Sequence, residues 1–129
     1  MNIDYHDRHF RSVATAGGGG GGDVDAGTRF HYRQAGGVVW ATYRGGGVAF
    51  GTPTAVVGPG GALDVRHGHV SAGGAFRTGR CRSTPEVLPD GRLRLRESWQ
   101  WTEGGEGGGE SVIEEVPPPG RGRPGREPR

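Results

Sequence analysis

At 129 residues the chain is one domain's worth of sequence, enough to enclose one modest core, so a single-domain protein rather than a multi-domain enzyme is expected. Its 29 glycines and nine prolines sit largely between segments rich in Val, Leu, Phe, Tyr, Trp and Thr, so the composition points to an all-β protein with glycine-heavy turns. All 16 basic side chains are Arg, and of the net +2 the tail 117–129 carries +3 and residues 1–116 carry −1, so the charge gives no ground for a nucleic-acid-binding domain.

The single cysteine, Cys81, excludes an internal disulfide. The start, MNIDYHDRHFR, is polar and lacks the apolar stretch of a signal peptide. No run approaches the roughly 18 apolar residues of a membrane span, so a cytoplasmic protein without a membrane partner is expected.

In chain order, HFRSVATA reads as a first strand and the glycine run Gly17 to Gly22 as a flexible loop. A phosphate-cradling loop would need a helix N-terminus after it. Here DVDAGTRFHYRQ follows, a turn and another strand. TRFHYRQA and VVWATYR flank Gly36 and Gly37, a pair suited to a tight hairpin. VAFGTPTAVV comes next, with Pro53 suggesting an edge or a bulge. ALDVRHGHV, AFRTGRCRSTPEVL, GRLRLRESWQWT and SVIEEV succeed one another across AGG, PDG and EGGEGGG turns. No stretch carries a capped 3.6-residue apolar period. About eight strands joined by short turns predict an antiparallel up-and-down meander over residues 1–116, closed as a small calycin-like (lipocalin-like) barrel, with an open sheet or a sandwich as the alternative. Residues 117–129, PPPGRGRPGREPR, have the composition of a disordered tail.

Strand alternation places Leu93, Leu95, Glu97, Trp99 and Trp101 on one side and Arg92, Arg94, Arg96, Ser98 and Gln100 on the other. With Gly91 left-handed in the PDG loop, Val87 faces Leu93, Pro85 faces Leu95, Ser83 faces Glu97, Cys81 faces Trp99 and Gly79 faces Trp101. The AGG turn then sets His69 against Arg77, His67 against Gly79, Val65 against Cys81 and Leu63 against Ser83. Gly79 would leave a gap in the wall between Trp101 and His67. Phe30, Tyr32, Val39, Ala41 and Tyr43 are the inward residues of the earlier hairpin.

A carboxylate on this apolar side must be paired, protonated, or in contact with water or a ligand. Arg77, Ser83, a tyrosine or a histidine are candidate partners for Glu97. An internal structural hydrogen bond and a ligand contact both satisfy the requirement. His67 and His69 share a face at i, i+2 spacing but lack an evident third donor, so no metal is expected. His31 points outward. Cys81, opposite Trp99 and beside Val65, reads as a small core residue rather than a nucleophile. Glu86 faces Arg94 on the outer side as a surface pair.

The run TGRCRSTPEVLPDGRLRLRESWQWT, with FHYRQAG upstream and ESVIEEV downstream, resembles a family of small bacterial proteins sharing G-x-C-x-S-x-P-E, then G-x-[IL]-R-L-x-E-x-W-Q-W, then a Glu-rich ending. The matching positions are Gly79, Cys81, Ser83, Pro85 and Glu86, then Gly91, Leu93, Arg94, Leu95, Glu97, Trp99, Gln100 and Trp101, within residues 28 to 116. That resemblance implies an N-acetylglutamate synthase label. Acetyltransferases of that kind bind acetyl-CoA through an R/Q-x-x-G-x-G/A turn leading into a helix. The nearest string here, RQAGGV, has Val38 where Gly or Ala is needed and leads into a strand.

The residues therefore predict a barrel that binds a small organic molecule in a pocket lined by Tyr32, Tyr43, His67, Glu97, Trp99 and Trp101, with no cofactor and no assigned catalytic residue. One alternative is a small enzyme, including the acetyltransferase, with Glu97 or His67 as acid or base. Another is an interaction module using Arg80, Arg82, Arg92, Arg94 and Arg96 with the tail. Nothing in the sequence sets an oligomeric state.

Overall fold

The computed structural model describes residues 3–17 and 23–118. The expectations of a flexible glycine loop beyond Gly17 and of a disordered tail from residue 119 onward lie outside the described residues.

Eight strands follow one another: β1 (Arg8–Gly17), β2 (Arg29–Ala35), β3 (Val38–Gly45), β4 (Val48–Val57), β5 (Leu63–Ser71), β6 (Phe76–Val87), β7 (Leu93–Glu103) and β8 (Gly108–Val116). Each pairs antiparallel with its sequence neighbours, and β1 pairs with β8, so the meander closes into a barrel. Closure is what rules out the open sheet and the sandwich.

The turns fix the registers. Gly91 (φ 90) and Gly74 (φ 90) occupy the left-handed region that their hairpins require. Val87↔Leu93 through Gly79↔Trp101, and His69↔Arg77 through Leu63↔Ser83, then pair as their hairpins dictate. In the β2–β3 turn only Gly36 takes a positive φ, 57°. The string RQAGGV crosses this hairpin and starts no helix.

Pro53 is a correction. Because the barrel closes, Pro53 lies in a strand paired on both sides, facing His67 of β5 rather than an edge. Its missing N–H falls where the β3–β4 ladder skips Ala41 and Thr42, between Trp40↔Thr54 and Tyr43↔Gly51.

The alternation buries one row of each strand, and the barrel interior divides into two halves along its axis. The half towards the β2–β3, β4–β5 and β6–β7 turns is solid. Phe10, Leu63, Leu95, Ile113 and Val39 are at most 1 % exposed there. Ile3 and Tyr5 cover that end. The Tyr5 hydroxyl donates to the Gly61 carbonyl (2.5 Å) in the one-turn 3-10 helix Pro59–Gly61, and the Tyr5 amide donates to Gln34 Oε1 (2.8 Å). The half towards the β3–β4, β5–β6 and β7–β8 turns contains Trp99, Trp101, Tyr43, His67 and His69.

This division sets the cost of substitutions. Leu95→Ala removes a fully buried side chain from the solid half, and chemical denaturation is expected to show a loss of about 2–5 kcal/mol. Phe76, 77 % exposed, should change stability by about 0.5 kcal/mol or less when replaced by Ala.

Candidate functional site

The Ser83, Glu97 and Ser111 row is the first polar layer above the solid half. Ser83 pairs with Glu97 across β6–β7, and Glu97 pairs with Ser111 across β7–β8. Below it the same strands carry Pro85, Leu95 and Ile113; above it they carry Cys81, Trp99 and Gly109. Both serine hydroxyls donate to the Glu97 carboxyl, Ser83 at 2.8 Å and Ser111 at 3.2 Å. Burial raises the Glu97 pKa above the ordinary carboxylate value, and the two serine hydrogen bonds oppose that rise. Of the partners foreseen for Glu97, Ser83 is realised; Ser111 was missed, although alternation along SVIEEV puts it on the inner face with Ile113.

Above this floor lies a cavity of about 80 Å³. Tyr32, Tyr43, His67, Glu97, Trp99 and Trp101 all line it, together with Phe30, Pro53, Val65, His69, Cys81 and Ser111. Trp99 and Trp101 tilt against each other with ring centroids 5.5 Å apart. Trp101 is only 8 % exposed, and its Nε1–H is buried with no hydrogen-bond partner among the described residues.

The expected gap at Gly79 is filled. A Cβ there would come within 2.8 Å of His67 Cε1, so the imidazole occupies the space a side chain would take. His67 meets the Trp101 ring edge-on at 5.7 Å. Burial lowers its pKa to about 4, with the neighbouring His69 acting in the same direction, so His67 is neutral at pH 7.

A second polar chain forms the rim. Tyr43 Oη and His69 Nδ1 are 2.7 Å apart, and His69 Nε2 and Asp23 Oδ2 are 2.8 Å apart. The Asp23 carboxylate also accepts from Arg77 Nε at 2.7 Å. An aspartate that accepts from Nε2–H leaves Nδ1 as an acceptor, so the Tyr43 hydroxyl donates to His69 and keeps its lone pairs for the cavity. Gly51 makes this possible: a Cβ there would overlap the Tyr43 ring and come within 2.8 Å of His69 Cβ. Asp23 is anchored by Gly47 N–H, which donates to its carbonyl at 2.8 Å. Nothing in the sequence pointed to Asp23.

Both His69 nitrogens are thus engaged, and His67 and His69 gain no third metal donor in the cavity among the described residues. Burial pushes the Cys81 thiol up, which disfavours a thiolate. On the outer face the arginines are interleaved with carboxylates. Arg94 reaches Glu114 at 2.8 Å and Glu86 at 3.7 Å, Arg96 reaches Glu86 at 3.0 Å, and Arg92 reaches Asp90 at 2.7 Å. Of the five arginines on this face, Arg92, Arg94 and Arg96 are paired in this way, while Arg80 Nη2 lies 3.3 Å from Gln100 Oε1.

A closed eight-stranded meander with one solid half and one hollow half is a calycin-type barrel. The model of the avidin-like protein family matches residues 3–116, and the chain belongs to that family. No curated protein and no solved structure matches the chain significantly.

Two outcomes follow from the geometry. His67 is neutral in the folded barrel down to about pH 4, whereas the unfolded chain takes up its proton near pH 6.5. Its contribution is present above pH 6.5 and lost as pH falls towards 4, by about 3 kcal/mol. Denaturation midpoints measured across this range should fall less steeply in His67→Gln than in the parent. Tyr43→Phe leaves buried His69 Nδ1 without its donor and is expected to lower stability by about 1–3 kcal/mol in urea titrations.

Proposed function

We propose that the barrel binds one small, uncharged organic molecule in this cavity, held against the tryptophans and bonded through an acceptor oxygen to Trp101 Nε1–H. The observation that carries the reading is that indole N–H, buried without a hydrogen-bond partner among the described residues, on a tryptophan that lines the cavity. Leaving a buried donor unpaired costs about 1–3 kcal/mol, and a ligand acceptor recovers it. The family supports the same class of function, since avidin-like barrels bind small ligands.

The lining also restricts the ligand. Its walls are aromatic and aliphatic, which favours a planar, largely apolar body. His67 is neutral, Arg77 is committed to Asp23, and Glu97 places a carboxyl at the floor, so among the described residues the lining favours an uncharged ligand over an anion. A cavity of about 80 Å³ has room for roughly five water molecules. The ligand is therefore compact, or extends past Val24 at the rim. Tyr32, Tyr43, His67, Glu97, Trp99 and Trp101 are its contact residues in this reading. Tyr43 Oη accepts from a ligand donor, and the Glu97 carboxyl orients the deepest polar group.

Native mass spectra of protein purified without refolding are expected to show an added mass that denaturation removes. Trp101→Phe keeps the ring and deletes the N–H, and should weaken retention of that mass about tenfold. A bare chain that also shows no saturable tryptophan quenching with neutral, planar, carbonyl-bearing compounds contradicts the proposal. So does a bound mass that Trp101→Phe and Glu97→Gln leave untouched.

A further inference from the structure

The outer wall of the barrel, away from the cavity, brings together a second set of chemistry-bearing side chains. His9 of β1 and His31 of β2 are direct cross-strand partners on the outer face. Their rings stack with centroids 4.1 Å apart and 16° between planes. Asp7, just before β1, places Oδ1 2.8 Å from His31 Nε2. One donor atom from each of the three residues lies within 4.8 Å of the others.

We propose that Asp7, His9 and His31 form a surface site for a divalent transition metal of the zinc type, clamping β1 to β2. Two imidazoles and a carboxylate are a donor set that zinc accepts, and the solvent-facing side leaves room for water as the remaining ligand. The spacing is close to what such an ion needs. Tetrahedral zinc bonds of about 2.0–2.2 Å to nitrogen and carboxylate oxygen set neighbouring donors about 3.4 Å apart. The Asp7 and His31 donors, hydrogen-bonded at 2.8 Å, need to part by only about 0.6 Å. Metal binding replaces the Nε2 hydrogen bond: the His31 proton moves to Nδ1 by tautomer exchange, and the freed Nε2 lone pair and the Asp7 carboxylate share the ion.

The surroundings select the kind of metal. Arg11, Arg29 and Arg33 lie on the same outer face as His9 and His31 by strand alternation. A single carboxylate among these cations is a poor site for calcium or magnesium, which need several oxygen ligands. Imidazole ligands suit zinc, nickel or copper instead.

The position gives the site a structural effect. β1 pairs with β2 only through Arg8–Arg11 against Tyr32–Arg29, the shortest of the barrel's eight seams among the described residues. An ion held by residues from both sides of this seam binds the folded barrel and not the open chain, so it raises thermal stability by mass action.

The experiment is an isothermal titration of the untagged, EDTA-stripped full-length chain with zinc chloride, with thermal unfolding followed in parallel. One equivalent should bind. His9→Gln and His31→Gln should each weaken binding roughly tenfold or more. Zinc should raise the Tm of the parent but not that of His31→Gln. Far-UV circular dichroism checks that both variants keep the barrel; Asp7→Asn, a surface change outside the strands, provides a third and milder reduction. No uptake by the parent overturns the proposal. So does uptake that His9→Gln and His31→Gln leave intact, or that follows His67→Ala instead, and a bound ion that leaves Tm unchanged overturns the clamp.

Discussion

The row Ser83, Glu97 and Ser111 sets the boundary on which the rest of the interior depends. A carboxyl group cannot share a dry core with Leu95 and Ile113 unless its oxygens are bonded. Two serines on the flanking strands supply those bonds at the level where apolar packing stops. Below that row the packing is mainly apolar, with Phe10, Leu63, Leu95 and Ile113 and the buried hydroxyl of Ser12 beside Ile113; above it aromatic rings, hydroxyls and imidazoles, with Val65 and Cys81, surround the cavity. Glu97 is therefore both a structural residue of the floor and the deepest polar group of the cavity, and these roles do not compete.

A second constraint governs the rim. His69 is nearly sealed from solvent, and both of its nitrogens need partners. Tyr43 satisfies one from the barrel wall and Asp23 the other from the β1–β2 connection. Arg77 then balances the aspartate and lies over the Trp101 ring at 5.8 Å. The chain of partners fixes the direction of each hydrogen bond and leaves the Tyr43 hydroxyl oxygen able to accept.

Much of this was legible in the sequence because hairpins carry their own rulers. PDG with Gly91 and AGG with Gly74 each fix a register, and a register with strict alternation says which side chains share a level. Hence the Ser83–Glu97, Cys81–Trp99 and Gly79–Trp101 pairs could be read directly, and so could the inward row Phe30, Tyr32, Val39, Ala41 and Tyr43. Closure was only one of several outcomes, because a succession of strands does not say that the first meets the last; with closure, the edge reading of Pro53 fell away. Gly79 read as a gap because pairing identifies opposite residues but not how far a neighbouring ring leans, and His67 leans into it. Asp23 was illegible for a different reason. It follows a glycine run that carries no register, and its partners His69 and Arg77 lie 46 and 54 residues away.

The account rests most directly on the orphaned Trp101 N–H above the Glu97 floor. A high-resolution crystal structure of the protein, purified without refolding, tests it. The expected result is an open cavity with density for a bound organic molecule, one of whose acceptors lies about 3 Å from Trp101 Nε1. A collapsed interior, with that N–H bonded to a protein group and the tryptophans packed onto the Ser83, Glu97 and Ser111 row, would contradict it.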